Sequence, residues 1–176
     1  MKLFVRLFKV VLFIAACCGM YVMGVITFGT LTEHNFEDVT MLSESDEDSK
    51  AVSDSTFEFI SWNVGFFGLG EESDFFYDGG EDVFQSKETV QKNIDGVINL
   101  IEEQASVDFF LLQEVDSLSW RSQKLDFLDA IAKLTETFTS HLALNYASNY
   151  VPIPLSNPMG PTFGGLFSMS KHEVKE

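Results

Sequence analysis

The feature that most restricts how this chain can fold is a long uncharged segment that follows three basic residues. Lys2, Arg6 and Lys9 precede residues 10–32, which contain no charged side chain. As a helix, these 23 residues extend about 34 Å at roughly 1.5 Å per residue, enough to cross the hydrocarbon core of a bilayer. We therefore predict a transmembrane anchor at 10–32 and a basic cytoplasmic end at 1–9.

Two other kinds of N-terminal signal fit parts of this segment. A cleaved signal peptide is shorter, because its apolar core usually spans about 7–15 residues. Residues 14–17, IAAC, resemble a bacterial lipoprotein signal that would make Cys17 a lipidated N-terminus, but the chain stays apolar after Cys17 through Ile26. We rank the uncleaved anchor first, the lipoprotein second and the cleaved signal third. All three place the rest of the chain outside the cytoplasm, which predicts a single-pass cell-membrane protein with an extracytoplasmic C-terminal domain.

Acidic residues dominate the chain beyond this segment. The whole sequence has 11 Lys and Arg against 27 Asp and Glu, a formal net charge of −16. Such a surface repels phosphate backbones, which argues against sequence-blind nucleic-acid binding through basic patches but leaves room for a phosphodiester bound through a metal ion. Residues 33–55 are acidic and Ser-rich with few large apolar side chains, so we predict a disordered linker there.

Strand and helix patterns alternate in the remaining segment, 56–176. Residues 56–64, TFEFISWNV, and 107–115, VDFFLLQEV, predict two strands, the second covered on both faces. Between them, a helix from Ser86 is indicated by a single apolar stripe of Val90, Ile94, Val97, Ile98 and Ile101. A strand–helix–strand crossover makes the two strands parallel, so their carboxyl ends lie at the same edge of one sheet.

Further elements are predicted towards the C-terminus, and together they make the fold class α/β. A second helix over about 123–138 is indicated by the inward-facing positions Leu125, Leu128, Ile131, Ala132 and Leu134. A short strand from His141 leads into a Pro-rich loop, and residues 163–170, FGGLFSMS, predict another strand.

Two polar side chains stand where the predicted parallel strands end. Asn63 lies at the end of the first strand and Glu114 near the end of the second, each in an otherwise apolar run. Ligands of open α/β sheets bind at this edge, and Mg²⁺ needs only one or two carboxylates besides water and phosphate oxygens. The alternatives are a solvated or ion-paired carboxylate for Glu114 and a hydrogen bond to loop backbone for Asn63.

Other charged residues are weaker candidates for this chemistry. Asp74, Asp78 and Asp82 lie in a glycine-containing loop and offer a second cation site, although solvated acids are more typical of such a loop. Arg121 is a candidate phosphate contact, with a surface ion pair as the favoured alternative.

Several short motifs occur in an order and spacing that resemble a known superfamily. SWNV at 61–64, an amphipathic helix, DFFLLQEV at 108–115, LNYASNYVPIPLSNPMG at 144–160 and GGLFSMSKHEV at 164–174 resemble the endonuclease/exonuclease/phosphatase superfamily, in particular its bacterial membrane-anchored members. The resemblance implies part of a four-layer α/β/β/α sandwich of the DNase I type over residues 56–176.

The resemblance also implies roles for individual residues. Glu114 would be the ligand of Mg²⁺, with Mn²⁺ or Ca²⁺ as alternatives, and Asn63 would act catalytically by assisting metal or phosphate binding. Tyr146 or Tyr150 would line the substrate side. The implied substrate is a phosphoester, whether a lipid headgroup, a small phosphoester or nucleic acid, and no protein partner can be identified.

The chain also departs from the superfamily pattern. Members carry a second half with an Asp-x-Asn motif and an Asp-His pair, and this sequence contains neither. His34, His141 and His172 do not match the catalytic position. We therefore expect the N-terminal half of a metal-dependent phosphodiesterase, nuclease or phosphatase, truncated and of doubtful activity alone, with one sheet face left uncovered. The alternatives are a non-catalytic membrane-anchored binding or interaction module and, third, a structural envelope protein.

Overall fold

The computed structural model describes residues 2–34, 40–43, 56–131, 134 and 138–172. The chain divides into two compact units, residues 1–34 and 35–176. The first unit contains helix α1, Lys2–Leu31, whose best 18-residue window has a mean hydropathy of 2.3. This confirms a helix long and apolar enough to cross a membrane, although it begins at Lys2 and thus includes the basic residues. Cys17 and Cys18 are free thiols within it.

The second unit is built on one mixed sheet of five strands in the order β1-β4-β5-β3-β2. Strands β2 and β3 are parallel, and the other neighbouring pairs are antiparallel. Its elements in chain order are β1 (Thr40–Ser43), β2 (Phe59–Asn63), α2 (Lys87–Glu103), β3 (Phe109–Asp116), α3 (Phe127–Ile131), β4 (Thr139–Val151) and β5 (Gly160–Ser170). Two short 3₁₀ turns, Gly65–Phe67 and Phe76–Asp78, lie between β2 and α2.

Helix α2 forms where the apolar stripe predicts it. Ser86 is its N-cap, and the Ser86 Oγ accepts a hydrogen bond of 3.1 Å from the Thr89 N–H, which satisfies one of the free donors of the first turn. The stripe packs inward, with Val90, Ile94, Val97 and Ile101 buried and Ile98 partly buried against them. Burial of this face supplies the packing that stabilises the helix.

The predicted crossover of β2, α2 and β3 is confirmed. The two strands pair in parallel from Phe59 opposite Phe109 to Asn63 opposite Gln113. The side chains of α2 and α3 share one buried cluster with Phe110 and Leu112 of β3 and with Phe167 and Met169 of β5. Both helices therefore pack on the same face of the sheet.

The opposite face of the sheet exposes apolar side chains among the described residues. Phe59 is 65% exposed, Leu111 41% and Leu166 46%. The prediction that the strand at 107–115 is covered on both faces is therefore wrong for Leu111, while the expected uncovered face is present. The α/β class is confirmed, and the described part of the chain forms one sheet with helices on one side, two layers rather than four.

Other predicted boundaries change for identifiable reasons. Helix α3, Phe127–Ile131, does not begin at Gln123, because Gln123 and Lys124 have φ values of 58° and 56°, incompatible with a right-handed helix. Leu125, Leu128 and Leu134 still pack against the core, and Ala132 lies outside the described residues. Strand β4 is longer than expected because it stays paired with β5 from Thr139 to Val151.

A four-residue strand lies inside the segment predicted to be a linker. Residues Thr40–Ser43 pair with β4 in antiparallel orientation, with Thr40 opposite Leu142 and Ser43 opposite Ser140. The sequence of 33–55 does not predict this strand, because the segment is acidic overall and four residues are too few to give a strand pattern. Positions 35–39 and 44–55 of the predicted linker lie outside the described residues.

Candidate functional site

Asn63 and Glu114 are brought together at the edge of the sheet where β2 and β3 end. The Asn63 Nδ2 donates a hydrogen bond of 2.8 Å to the Glu114 Oε1. The Asn63 Oδ1 accepts one of 2.8 Å from the Gly65 N–H. Because the backbone donor fixes which end of the amide faces the loop, the amino end is directed at the carboxylate. Asn63 thus makes the loop contact expected of it in a turn and also orients Glu114.

Glu114 lies in a bulge of β3 with an uncommon backbone conformation. Leu112 pairs with Phe167 and Val115 with Gly165, so β3 contains one residue more than β5 between these two pairs. Glu114 has φ 55°, in the left-handed region that non-glycine residues rarely adopt. Bulges of this kind redirect a side chain, and strained residues cluster at functional sites. Here the bulge leaves Glu114 exposed between the half-buried Gln113 and the buried Val115.

The loop after β2 adopts left-handed conformations at three successive residues. Gly65, Phe66 and Phe67 have φ values of 50°, 45° and 61°. Phe66 and Phe67 are 4% and 2% exposed, and burial of both rings offsets the cost of this backbone. The Asn93 Nδ2 of α2 also donates a 2.9 Å hydrogen bond to the Phe67 carbonyl. The loop that holds Asn63 is therefore fastened to the core.

A cavity of about 580 Å³ opens beside the Asn63–Glu114 pair. Its size is in the range of small-molecule sites. Lys92 and Asn93 of α2 add polar groups to it, and its remaining lining is Trp62, Val64, Gly65, Phe67, Leu69, Gly70, Gly96 and Val97. The pair thus forms one side of a concave site whose other walls are the cationic side chain of Lys92 and several apolar side chains.

Arg121 forms a buried ion pair with Asp116, a partner that the sequence patterns did not single out. The Arg121 Nε and Nη2 donate hydrogen bonds of 2.8 Å and 2.7 Å to the two oxygens of Asp116. The side chain of Asp116 is fully buried, and that of Arg121 is 17% exposed. Burial raises the pKa of the Asp116 carboxyl, against the opposing effect of the Arg121 guanidinium.

Arg121 also connects this pair to the loop after β2. Its guanidinium carbon lies 4.2 Å from the centroid of the Phe66 ring, a cation–π contact. The expectation of a surface ion pair was correct in kind, but the pair is buried. Two signals point to it in hindsight, namely the charge at the end of a buried strand and a basic residue five positions later.

The two tyrosines expected on the substrate side lie on β4. Tyr146 on β4 lies opposite Gly164 on β5, which in turn lies opposite Asp116 on β3. Tyr146 is therefore two strands away from Asp116. That spacing corresponds to about 10 Å. Neither Tyr146 nor Tyr150 is among the residues that line the cavity.

The carboxylates of the acidic loop accept hydrogen bonds from the loop's own backbone. The Asp82 Oδ2 accepts from the Asp74 N–H, and the Asp74 Oδ2 accepts from the Glu81 N–H. Within the described ranges, no group of three or more His, Cys, Asp or Glu side chains is arranged to hold a metal. Asp74 and Asp82 therefore close the loop, and Asp78 lies in its exposed 3₁₀ turn.

A histidine–carboxylate pair lies at the other end of β3. The His172 Nε2 is 3.0 Å from the Asp108 Oδ1. The Glu58 N–H donates a hydrogen bond to the Asp108 Oδ2, and this contact is the largest cause of a lowered pKa of the Asp108 carboxyl. The hydrogen bond with His172 is the second cause. Asp108 is six residues from Glu114 along the chain, about 20 Å in a strand. His172 is therefore not positioned to act at the Asn63–Glu114 pair.

The pair itself has the donor chemistry of a Mg²⁺ site. Glu114 supplies one carboxylate whose hydrogen bond to Asn63 involves Oε1, and Asn63 supplies an amide beside it. Magnesium is commonly held by one or two carboxylates with water and substrate phosphate completing the shell. Glu114 therefore fits the ion that the resemblance implies, and Asn63 positions the Glu114 carboxylate through its amino group.

No protein-family model matches the chain, and neither the curated proteins nor the solved structures contain a match to it.

Proposed function

We propose that this chain contributes the metal- and phosphate-binding edge of a phosphoester hydrolase displayed on the outer side of the cytoplasmic membrane. The observation that carries the proposal is the 2.8 Å hydrogen bond between Asn63 and Glu114 at the carboxyl ends of two parallel strands. This is the edge at which open α/β sheets bind ligands. The motifs around these residues resemble the endonuclease/exonuclease/phosphatase superfamily, whose members bear a metal ligand at the position of Glu114.

Three further features support a ligand site at this edge. Glu114 keeps a strained backbone that only a structural or functional demand would maintain. The cavity beside it has a volume of about 580 Å³. The Arg121–Asp116 pair fastens the neighbouring loop through Phe66, which holds the site in one geometry.

Glu114, Asn63 and Lys92 would have different roles in binding the metal ion and the phosphate. Glu114 would hold Mg²⁺, which when bound would neutralise charge on the phosphate and polarise its oxygens, and Asn63 would assist phosphate binding through its amino group, since its Oδ1 accepts from the Gly65 N–H. Asn63 orients the carboxylate through Nδ2, while the Gly65 N–H fixes the amide. Lys92 adds positive charge at the cavity and favours an anionic ligand.

The N-terminal helix supports the proposed location. Helix α1 has the length and hydropathy of a membrane span, and the three basic residues at its start would remain in the cytoplasm. We propose Lys2–Leu31 as an uncleaved single-pass anchor. Lipidation of Cys17 remains the second proposal for this end. The complete four-layer sandwich is likewise part of the proposal rather than of the described fold.

Replacing Glu114 by glutamine tests the function. In the full chain, purified in detergent, we expect Mg²⁺ binding, and any hydrolysis of bis(p-nitrophenyl) phosphate should require Mg²⁺ and be lost with EDTA. Glu114→Gln should weaken Mg²⁺ binding, measured by calorimetry, at least about tenfold, since even residues outside the first ligand sphere change metal affinity by about 10–100-fold. The hydrolysis rate at low Mg²⁺ should fall in parallel.

A matched control is Glu102→Gln, which removes an exposed carboxylate from α2 outside the cavity. It should change neither Mg²⁺ affinity nor rate. Hydrolysis that ignores EDTA, or unchanged Mg²⁺ affinity in Glu114→Gln, would contradict the metal-binding role. Mg²⁺ and phosphate binding without hydrolysis would favour the non-catalytic binding module instead.

A further inference from the structure

The cavity beside Asn63 and Glu114 has an apolar part that binding of a bare phosphate does not require. Trp62 and Leu69 line it while remaining 38% and 43% exposed. Val97 of α2, 4% exposed, also lines it. Large apolar side chains that stay accessible within one concave site are typical of small-molecule binding sites, where they exclude water from an apolar ligand group.

Gly96 lines the same cavity from the middle of α2. Glycine inside a helix is less favourable than alanine, so its presence there calls for a reason. A Cβ atom added to Gly96 would meet no described heavy atom within 4 Å, which excludes close packing inside the chain as that reason. A side chain at position 96 would instead extend from the cavity wall, so glycine leaves the cavity wider.

The charges of the cavity restrict the ligand further. Lys92 is the one basic residue in the lining, and its Nζ lies 3.2 Å from the Glu72 Oε1 at the exposed surface. An anionic ligand group gains from Lys92 and from a cation at Glu114, whereas an apolar group gains from Trp62, Leu69 and Val97. A phosphoester of an apolar alcohol combines both properties.

We propose that this apolar part of the cavity binds the organic group of the substrate, and that the substrate is a small phosphoester with an aromatic or acyl group. The inference rests on the proposed function for the position of the phosphate, at Asn63 and Glu114. The apolar contacts of Trp62, Leu69 and the Gly96 wall then determine specificity. Bare phosphate and phosphate esters of polar sugars lack the group that these residues contact.

The test compares phenyl phosphate with inorganic phosphate by calorimetry on the full chain in detergent with Mg²⁺. We expect phenyl phosphate to bind at least about tenfold more tightly, because its ring is removed from water. Gly96→Leu should abolish this preference by occupying the cavity while leaving Mg²⁺ affinity unchanged. The unfolding temperature of Gly96→Leu verifies that it folds.

Two further variants make the result decisive. Glu102→Leu adds the same side chain to α2 outside the cavity and should keep the preference. Trp62→Ala removes part of the apolar wall and should reduce the preference several-fold, which keeps the test valid if Gly96→Leu does not fold. Equal affinity for the two phosphates, or an undiminished preference in a folded Gly96→Leu variant, would overturn the inference.

Two more probes answer two separate questions. One tests whether the apolar group belongs to a lipid or to a free aryl ester, and the other tests this inference independently of the hydrolase proposal. Dihexanoyl phosphatidic acid, used as dispersed monomers, should bind more tightly than phenyl phosphate if the ligand is a lipid and less tightly if it is a free aryl ester. Binding of phenol alone reports on the apolar part without phosphate or metal. Phenol binding that Gly96→Leu abolishes, in a chain without Mg²⁺-dependent hydrolysis, would refute only the hydrolase proposal. Mg²⁺-dependent hydrolysis with no ring preference would refute only the present inference.

Discussion

Replacing Arg121 by alanine is expected to lower the free energy of unfolding of the second unit by about 3–5 kcal/mol. The variant leaves the fully buried Asp116 carboxylate without the guanidinium that donates two hydrogen bonds to it. An unpaired buried charge is far more costly than a missing pair. The contact between Arg121 and the Phe66 ring is lost as well. Urea unfolding followed by tryptophan fluorescence measures the change, because Trp62 and Trp120 are the two tryptophans of the chain and both lie in this unit.

The pH dependence of the same variant provides a second measurement. Burial already raises the pKa of Asp116 with Arg121 present, and removal of Arg121 should raise it further. A carboxyl whose pKa is higher in the folded state favours folding when protonated. The stability deficit of Arg121→Ala should therefore be smallest below about pH 4 and grow as the pH rises through the folded-state pKa of Asp116.

A surface ion pair provides the control for Arg121. Lys92 and Glu72 are 3.2 Å apart with side chains that are 73% and 45% exposed. Lys92→Ala should have a much smaller effect on unfolding, since exposed pairs are solvated and screened. Equal effects of Arg121→Ala and Lys92→Ala would show that burial does not make Asp116 depend on Arg121.

Replacing Phe67 by alanine is expected to cost about 3–5 kcal/mol of unfolding free energy. The Phe67 ring is 2% exposed and stacks on Phe127 of α3, with centroids 4.9 Å apart and an interplanar angle of 29°. Its removal leaves a void where the loop after β2 meets the core. The double variant with Phe127→Ala should lose about 0.5–1.5 kcal/mol less than the sum of the two single losses, because each single variant already removes the contact between the rings.

Phe59 is the matched control for Phe67 because its ring is 65% exposed on the uncovered face of the sheet. Phe59→Ala should change the unfolding free energy by no more than about 1 kcal/mol. The same urea titration serves both variants. A loss at Phe59 as large as that at Phe67 would mean that the uncovered face is covered in solution.

Periodicity was sufficient to predict the part of the fold that positions the site. The stripe from Val90 to Ile101 predicts α2, and two apolar runs around it predict β2 and β3. The handedness and parallel direction of such a crossover then require that Asn63 and Glu114 share one edge. The hydrogen bond between them confirms their proximity, while their roles in binding metal or phosphate stay predictions.

Features that depend on local backbone conformation or on distant pairing were not predicted. The left-handed residues Gln123 and Lys124 delay α3, and no propensity argument identifies left-handed conformation in those residue types. Strand β1 depends on pairing with β4, a contact far away in sequence. The bulge in β3 had a visible signal, since Gln113 and Glu114 interrupt an apolar run with two successive polar residues, but the segment was predicted as one regular strand.

The backbone of Glu114 implies a conflict between robustness and chemistry at a single position. Glycine adopts a left-handed backbone conformation without steric cost. Glycine at position 114 would therefore relieve the strain, but it would also remove the carboxylate. Directed evolution that rewards heat resistance alone would drift towards this solution. Any engineering of the domain for thermal endurance should therefore hold position 114 fixed.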